Sequence, residues 1–295
     1  MLFGAWYVKQ DEATQRRSQE RLIVGLDWLI ELKQTNRDMD AVLNWVIQQM
    51  PASLGNVITV GDVEGADRYT FAGVPIGARP VKLLQNQGYM VGYDETLRNP
   101  AWVAYHLKRG DRSAASERLE TFETDRRTRA RVRHGDYSHS GYDRGHMAPN
   151  YAIDSVFGER AQQETFLMSN IVPQRPELNQ GPWKEFEQVV ANRYLKDYQE
   201  VWVITGPVYR EPIQRLVSGV AIPSAFFKVI IDVVEPTGVR ALALILDQEV
   251  TNSTKLSQHL VTIDAVEAAT GLDLLSLLDD TAESSLEADL AKRLW

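Results

Sequence analysis

Cysteine is absent from all 295 residues. That excludes a disulfide framework, a thiolate metal centre and a cysteine nucleophile, and it suits an oxidising or a reducing compartment equally. Also missing is any apolar run of the roughly 18 to 20 residues that span a bilayer. The best candidate, Leu22 to Leu32, is broken by Asp27 and flanked by charges, so the chain reads as soluble with no membrane span. The opening Met1-Leu2-Phe3-Gly4-Ala5-Trp6-Tyr7-Val8 lacks the basic start and cleavage pattern of a signal peptide; it reads as an ordinary N-terminus or as the stump of a trimmed leader. Positive charge is scarce as well. With 32 Lys and Arg against 40 Asp and Glu the net charge is -8, which argues against a protein that coats nucleic acid by bulk electrostatics. What is plentiful is apolar residue, at 44%, ample for a core.

The chain changes character along its length. Leu22, Ile23, Leu26, Leu29 and Ile30 fall at helical spacing, and Val42, Leu43, Val46, Ile47 and Met50 repeat the pattern up to Pro51. These predict a helical N-terminal appendage over residues 1–55, suited to dimerisation, partner binding or packing. From residue 56 to 295 the sequence is β-rich with Gly and Pro punctuation. Val57 to Val60, Tyr69 to Phe71, Tyr89 to Tyr93, Trp102 to Leu107, Val201 to Thr205, Phe226 to Val234 and Ala241 to Leu246 read as strands, with Gly206-Pro207 as a turn. Ile263 to Ala269 and Glu283 to Leu294 read as helices. There is no internal repeat, and no regular βαβ alternation. The expectation is an α+β fold around a mixed or antiparallel sheet.

The scarce positive charge is not spread evenly. Arg126, Arg127, Arg129, Arg131 and Arg133 put five arginines in eight residues with no acid among them, and Lys108, Arg109, Arg112 and Arg118 precede them. Directly after this basic island stands Tyr142-Asp143-Arg144-Gly145-His146-Met147-Ala148-Pro149-Asn150. An arginine two residues before a histidine, across a glycine, offers one phosphate both a fixed charge and a proton acceptor. In this setting the arginine run reads as a groove for a phosphate backbone. Gly145 reads as a point of close backbone approach or unusual torsion. The remaining histidines, His106, His134, His139 and His259, read as structural or exposed.

A second block follows, Thr165-Phe166-Leu167-Met168-Ser169-Asn170-Ile171-Val172-Pro173-Gln174, continuing to Leu178-Asn179-Gln180-Gly181-Pro182-Trp183 and on to Glu187. Pro182 suits a first helical turn, and Trp183, Phe186, Val189, Val190 and Tyr194 give that helix an apolar face. Together the two blocks resemble the catalytic core of the DNA/RNA non-specific endonucleases, the endonuclease G-like ββα-metal family with its DRGH motif. Similarity extends through Ile204-Thr205-Gly206-Pro207-Val208-Tyr209, Ile222 to Lys228 and Thr270-Gly271-Leu272-Asp273, so it covers residues 68 to about 280.

The resemblance implies a ββα-metal (His-Me finger) core inside a larger sheet, one Mg2+ or Mn2+ ion, and hydrolysis of DNA and RNA to 5′-phosphate products with little base preference. In its terms His146 is the general base on water and Arg144 faces the phosphate. Asn179 holds the ion directly, since a single amide oxygen with a shell of waters is chemically sufficient for Mg2+. Glu187, eight residues further and about 12 Å along a regular helix, acts through a metal-bound water. Arg118 is a second phosphate-contacting arginine, aligned with Phe122 and Asp125, while Asp143, Gly145, Asn170 and Gln174 support the site. One departure stands out: the family often has arginine four residues after the glutamate, where this chain has Ala191, and Arg193 lies on another side of the helix.

Two other readings remain open: a catalytically weak nucleic-acid- or partner-binding scaffold, and a nuclease toxin or effector whose N-terminal module engages a partner or inhibitor protein. Relatives often dimerise, so a homodimer is a further expectation. Nucleases are commonly exported or compartmentalised, which favours an extracytoplasmic location, periplasmic or secreted.

Overall fold

Strand-forming stretches rich in Val, Ile and aromatics need partners for their backbone groups, and in the computed structural model they find them in one another. The structure describes residues 66–109, 121–198, 200–234, 238–278 and 280–295. These belong to a unit spanning Gly65–Trp295. The expected N-terminal helices, the strand Val57 to Val60, and Arg112 and Arg118 lie outside the described residues.

The strands are β1 (Ile76–Gly77), β2 (Lys82–Gln85), β3 (Met90–Asp94), β4 (Asn99–Lys108), β5 (Asp143–His146), β6 (Ile171–Gln174), β7 (Glu200–Val208), β8 (Ala225–Val234), β9 (Gly238–Asp247), β10 (Leu260–Val261) and β11 (Leu272–Asp273). Seven form one sheet in the order β10-β9-β8-β7-β4-β3-β2, with every neighbour antiparallel. Successive side chains leave a strand on opposite faces. On β4, Val103, Tyr105 and Leu107 enter one core, and Trp102 and Ala104 enter the other. Because both faces are covered, the central strands read as nearly unbroken apolar runs.

The helices sort by face. α1 (Ala66–Tyr69) precedes the sheet; α2 (Asn150–Phe157) and α3 (Glu159–Glu164) follow β5. After β6 come α4 (Pro176–Leu178), a kinked stretch Asn179–Trp183, α5 (Lys184–Gln188), a wide turn Val189–Tyr194, and α6 (Leu195–Tyr198). Ala152, Ile153, Leu178, Trp183, Phe186, Val190 and Tyr194 share the first core with β4 and β8. The second core takes Ile263 and Val266 of α7 (Ile263–Thr270), and α8 (Asp280–Glu287) follows.

Three local expectations are corrected. Tyr69 to Phe71 is no strand: α1 ends there, and the buried Tyr69 hydroxyl donates to the Asn86 carbonyl at 2.7 Å. Gly206-Pro207 is no turn but the continuation of β7 against β8, beyond the point where pairing with β4 stops at Thr205, so the missing proline N–H costs no ladder bond to β4. The last helix ends at Glu287, and Trp295 instead packs on Tyr194 (5.6 Å between centroids) and Arg240 (4.5 Å).

Candidate active site

β5 is the DRGH motif itself, paired among the described residues with β6 alone, so that Arg144 lies opposite Pro173 and His146 opposite Ile171. Strand alternation puts Arg144 and His146 on one side and Gly145 on the other. Gly145 is where the second motif block presses in: a Cβ there would lie 1.8 Å from Oε1 of Gln174, itself fully buried. Asn170 fixes the exit from the strand. Its Oδ1 accepts from Ala148 N at 2.8 Å, and its Nδ2 donates to the carbonyls of Ala148 and Thr165, both at 3.0 Å.

Aromatic rings set the two functional side chains. The His146 imidazole stands edge-on to Phe166 (5.1 Å, 83°) and 5.4 Å from Phe122. The Arg144 guanidinium lies between Phe122 (5.9 Å) and Tyr137 (5.8 Å), and its Nε and Nη2 donate to the His134 carbonyl at 3.1 and 2.8 Å. One edge of the fork is thus tied to the backbone, and Nη1 is left for a ligand. Phe122 touches both residues, which makes it a shared wall. The His134 ring is held below its usual pKa by burial and by the neighbouring Arg144 charge.

The helical side of the site begins at Pro176, at the first position of α4. Asn179 follows, and the helix breaks at Gly181 (φ -103°, ψ -116°) before resuming with Pro182 inside the kink. The break is tight, since a Cβ on Gly181 would lie 2.0 Å from Oδ1 of Asn252. Asp143 joins the two motif blocks: its Oδ2 accepts from Nδ2 of Asn179 at 2.9 Å and from Nε2 of Gln180 at 2.8 Å. Spending the Asn179 nitrogen on Asp143 leaves the half-buried amide's oxygen as the outward donor atom. That oxygen is the hard donor a divalent ion such as Mg2+ requires, so the residues present fit the ion.

Glu187 on α5 stands over a buried charge. Its Oε1 is 3.6 Å from Nζ of Lys228, which is fully buried in β8, and that ammonium sits 4.3 Å from the centroid of the Trp183 ring. Burial lowers the Lys228 pKa while Glu187 raises it in part. Ala191, at the position where the family often has arginine, is buried in the core, and Arg193 pairs with Asp197 at 3.9 Å.

The arginine run divides in two. Arg127 is tied down, bonded to Asp125 (2.7 Å), the Gln85 carbonyl and Asn86, and the pairing lowers the Asp125 pKa against the opposing effect of burial. Its guanidinium is committed to these partners although its side chain is 38% exposed. Arg126, Arg129, Arg131 and Arg133 are exposed. The backbone carrying them is pinned by Glu95, which accepts from Arg129 N and Ala130 N, both at 2.8 Å. Among the other histidines, His106 is stacked on Trp202 at 3.8 Å and bound to Glu200, and His139 is exposed on a left-handed turn (φ 57°).

Two residues were missed by sequence reading. Gln248 clasps the end of β6, donating to Pro173 O (2.7 Å) and accepting from Arg175 N (2.8 Å), and nothing local signalled this. Lys228 did carry a signal, as a lone charge within Phe226-Phe227-Lys228-Val229-Ile230-Ile231.

Two antiparallel strands and a kinked helix, carrying Arg, His, Asn and a carboxylate, define a ββα-metal nuclease. The chain belongs to the DNA/RNA non-specific endonuclease family, which it matches over residues 72–281. It is 32% identical over 253 residues to a mitochondrial nuclease of Saccharomyces cerevisiae, covering 76% of this chain and 73% of that one. It is 31% identical over 206 residues to human mitochondrial endonuclease G, covering 65% and 68%. The crystal structure of an EndoG/EndoGI complex superposes with a TM-score of 0.65 at 26% identity, over 75% of this chain and 95% of that chain. The protein is a metal-dependent endonuclease of DNA and RNA. Among the described residues no helix is long and apolar enough to cross a membrane.

Proposed function

We propose that His146 is the general base of phosphodiester hydrolysis, with Arg144 holding the scissile phosphate and Asn179 holding Mg2+ or Mn2+ directly. The observation that carries this reading is the Asp143 bridge, which ties the DRGH strand to the Asn179 kink and so gathers both motif blocks at one place. His146 takes the proton of the attacking water, its ring held by Phe122 and Phe166. Arg144, anchored through Nε and Nη2, turns Nη1 to the phosphate oxygens, where negative charge grows. Asn179 and, through water, Glu187 would hold the ion, which supplies charge neutralisation for the phosphate and the leaving oxygen.

Arg126, Arg129, Arg131 and Arg133 would carry the nucleic-acid backbone to this centre. Arg118 is kept as a second phosphate contact. Contacts to phosphate rather than to base edges account for the lack of sequence preference. We infer 5′-phosphate products: water deprotonated by His146 attacks phosphorus, the bond to the 3′-oxygen breaks, and the phosphate stays on the 5′ carbon while the ion would neutralise the leaving 3′-oxygen. A nuclease damages the cell that makes it unless it is exported, enclosed or inhibited. An extracytoplasmic location and an inhibitor protein docked on the arginine face are both in keeping with this, as is a homodimer.

Cleavage of circular DNA and of single-stranded RNA is measured for wild type, His146→Ala and Asn179→Ala, in Mg2+ and in excess chelator. Both variants and the chelated wild type are expected to lose turnover on both substrates while still retaining DNA. Products should accept a 5′ label only after phosphatase treatment. Full turnover by His146→Ala, or binding without cleavage by wild type in either metal, overturns the assignment.

A further inference from the structure

Strand β8 carries Phe226, Lys228 and Ile230 on one face, all three fully buried in or against the core that holds α5. An ammonium in such a place loses its hydration, and one carboxylate at 3.6 Å, beyond ordinary hydrogen-bond length, with one indole face returns only part of that loss. A methionine would fill the same slot without it. Fold stability therefore does not account for Lys228. What Lys228 touches does: Glu187, whose Oε1 faces the buried ammonium and whose side chain is 18% exposed.

We propose that Lys228 is a positioning residue for the reaction, holding Glu187 from inside the sheet so that its carboxylate is presented to the metal-bound water. This rests on the role of Glu187 given above. An acid on a single helical turn sweeps several rotamers, and a fixed cation beneath it selects one. Groups that orient a ligand or a water from behind in this way commonly contribute about 10- to 100-fold in metal affinity or activity.

The test is a double-mutant cycle on the whole protein: wild type, Lys228→Met, Glu187→Gln and the pair. Three quantities are read: the melting temperature without metal, Mn2+ affinity by electron paramagnetic resonance, and kcat at saturating Mg2+. Lys228→Met is expected to melt at or above wild type and to lose about 10- to 100-fold in kcat. In the Glu187→Gln background the same change should leave both kcat and Mn2+ affinity where Glu187→Gln alone put them. Equal loss from Lys228→Met in both backgrounds overturns the proposal, as does full turnover by that variant. A melting temperature well below wild type, or failure to fold, assigns Lys228 to the fold and overturns it too. Wild-type turnover by Glu187→Gln removes the role of Glu187 itself, a failure distinct from additive losses.

Discussion

Gly145 and Gln174 meet across the β5–β6 pair with no room for one further carbon: a Cβ at 145 would lie 1.8 Å from Oε1, 2.3 Å from Cδ and 2.6 Å from Cγ of Gln174. Gln174 is fully buried, so it has to shift against the packed core to admit that carbon. Gly145→Ala is therefore expected to cost about 1–3 kcal/mol by overpacking. Because the strand carries Arg144 and His146 on either side of the clash, turnover should fall about 100-fold, the loss that an ångström of misplacement produces. Gly145→Ala/Gln174→Ala should recover the melting temperature; a single variant that melts like wild type would show the contact to be soft.

Asn170 closes three buried backbone groups, the N–H and carbonyl of Ala148 and the carbonyl of Thr165. Asn170→Ala leaves them without that partner. Each buried orphan costs about 1–3 kcal/mol, so a stability loss of at least that size is expected in chemical denaturation, with kcat reduced as the His146 strand loosens. Asn170→Asp keeps the acceptor but sets a buried carboxylate oxygen against the two carbonyls, and should lose at least as much stability as the alanine variant at neutral pH.

The exposed arginines make a different prediction. Arg129→Ala and Arg133→Ala should weaken nucleic-acid binding equally for all sequences and flatten the salt dependence by about 0.9 in log–log slope for each lost phosphate contact. Arg127→Ala should instead lower the melting temperature, because it strips the buried Asp125 of its ion pair. Salt titrations of binding and thermal melts separate the two groups; an unchanged slope for Arg129→Ala would remove it from the binding surface.

A pH dependence is built into the other face of the sheet. Asp264 and Glu267 on α7 bring carboxylate oxygens within 4.8 Å of one on Glu287 of α8. Burial first, then Glu267 and Glu283, push the Glu287 pKa up to about 8. Its neutral form is the one the fold favours, so the stabilisation is complete below the ordinary value near 4.5, declines as pH rises, and is gone above about 8. Glu287→Gln should therefore gain on wild type in thermal melts as pH goes from 5 to 9. Parallel curves would show that Glu287 ionises normally.

The DRGH segment and the Asn179 block were legible because each packs its chemistry into a few contiguous residues, where local spacing fixes which side chains share a face. β4, β7, β8 and β9 were legible because β-branched and aromatic residues pack well on a pleated, buried surface. The arginine run shows the limit of such reading. Charge density announced a basic island, but only the approach of Asp125, Gln85 and Asn86 commits the Arg127 guanidinium to partners within the fold. Pro207 reads as a turn in isolation, and the structure uses it as strand because it pairs with β8 where β7's pairing with β4 has already stopped at Thr205.

The sequence by itself determined the class of chemistry and marked the long central strands as buried, since apolar runs and short motifs are properties of neighbouring residues. Tertiary structure alone decided that Asp143 would bridge to Asn179, that Gln248 would clasp the end of β6, and that a lysine in the middle of an apolar strand would come to rest beneath Glu187. Periodicity states that a residue is buried; which residue it is buried against follows from strand order and helix docking, which are set by the packing of segments far apart in the chain.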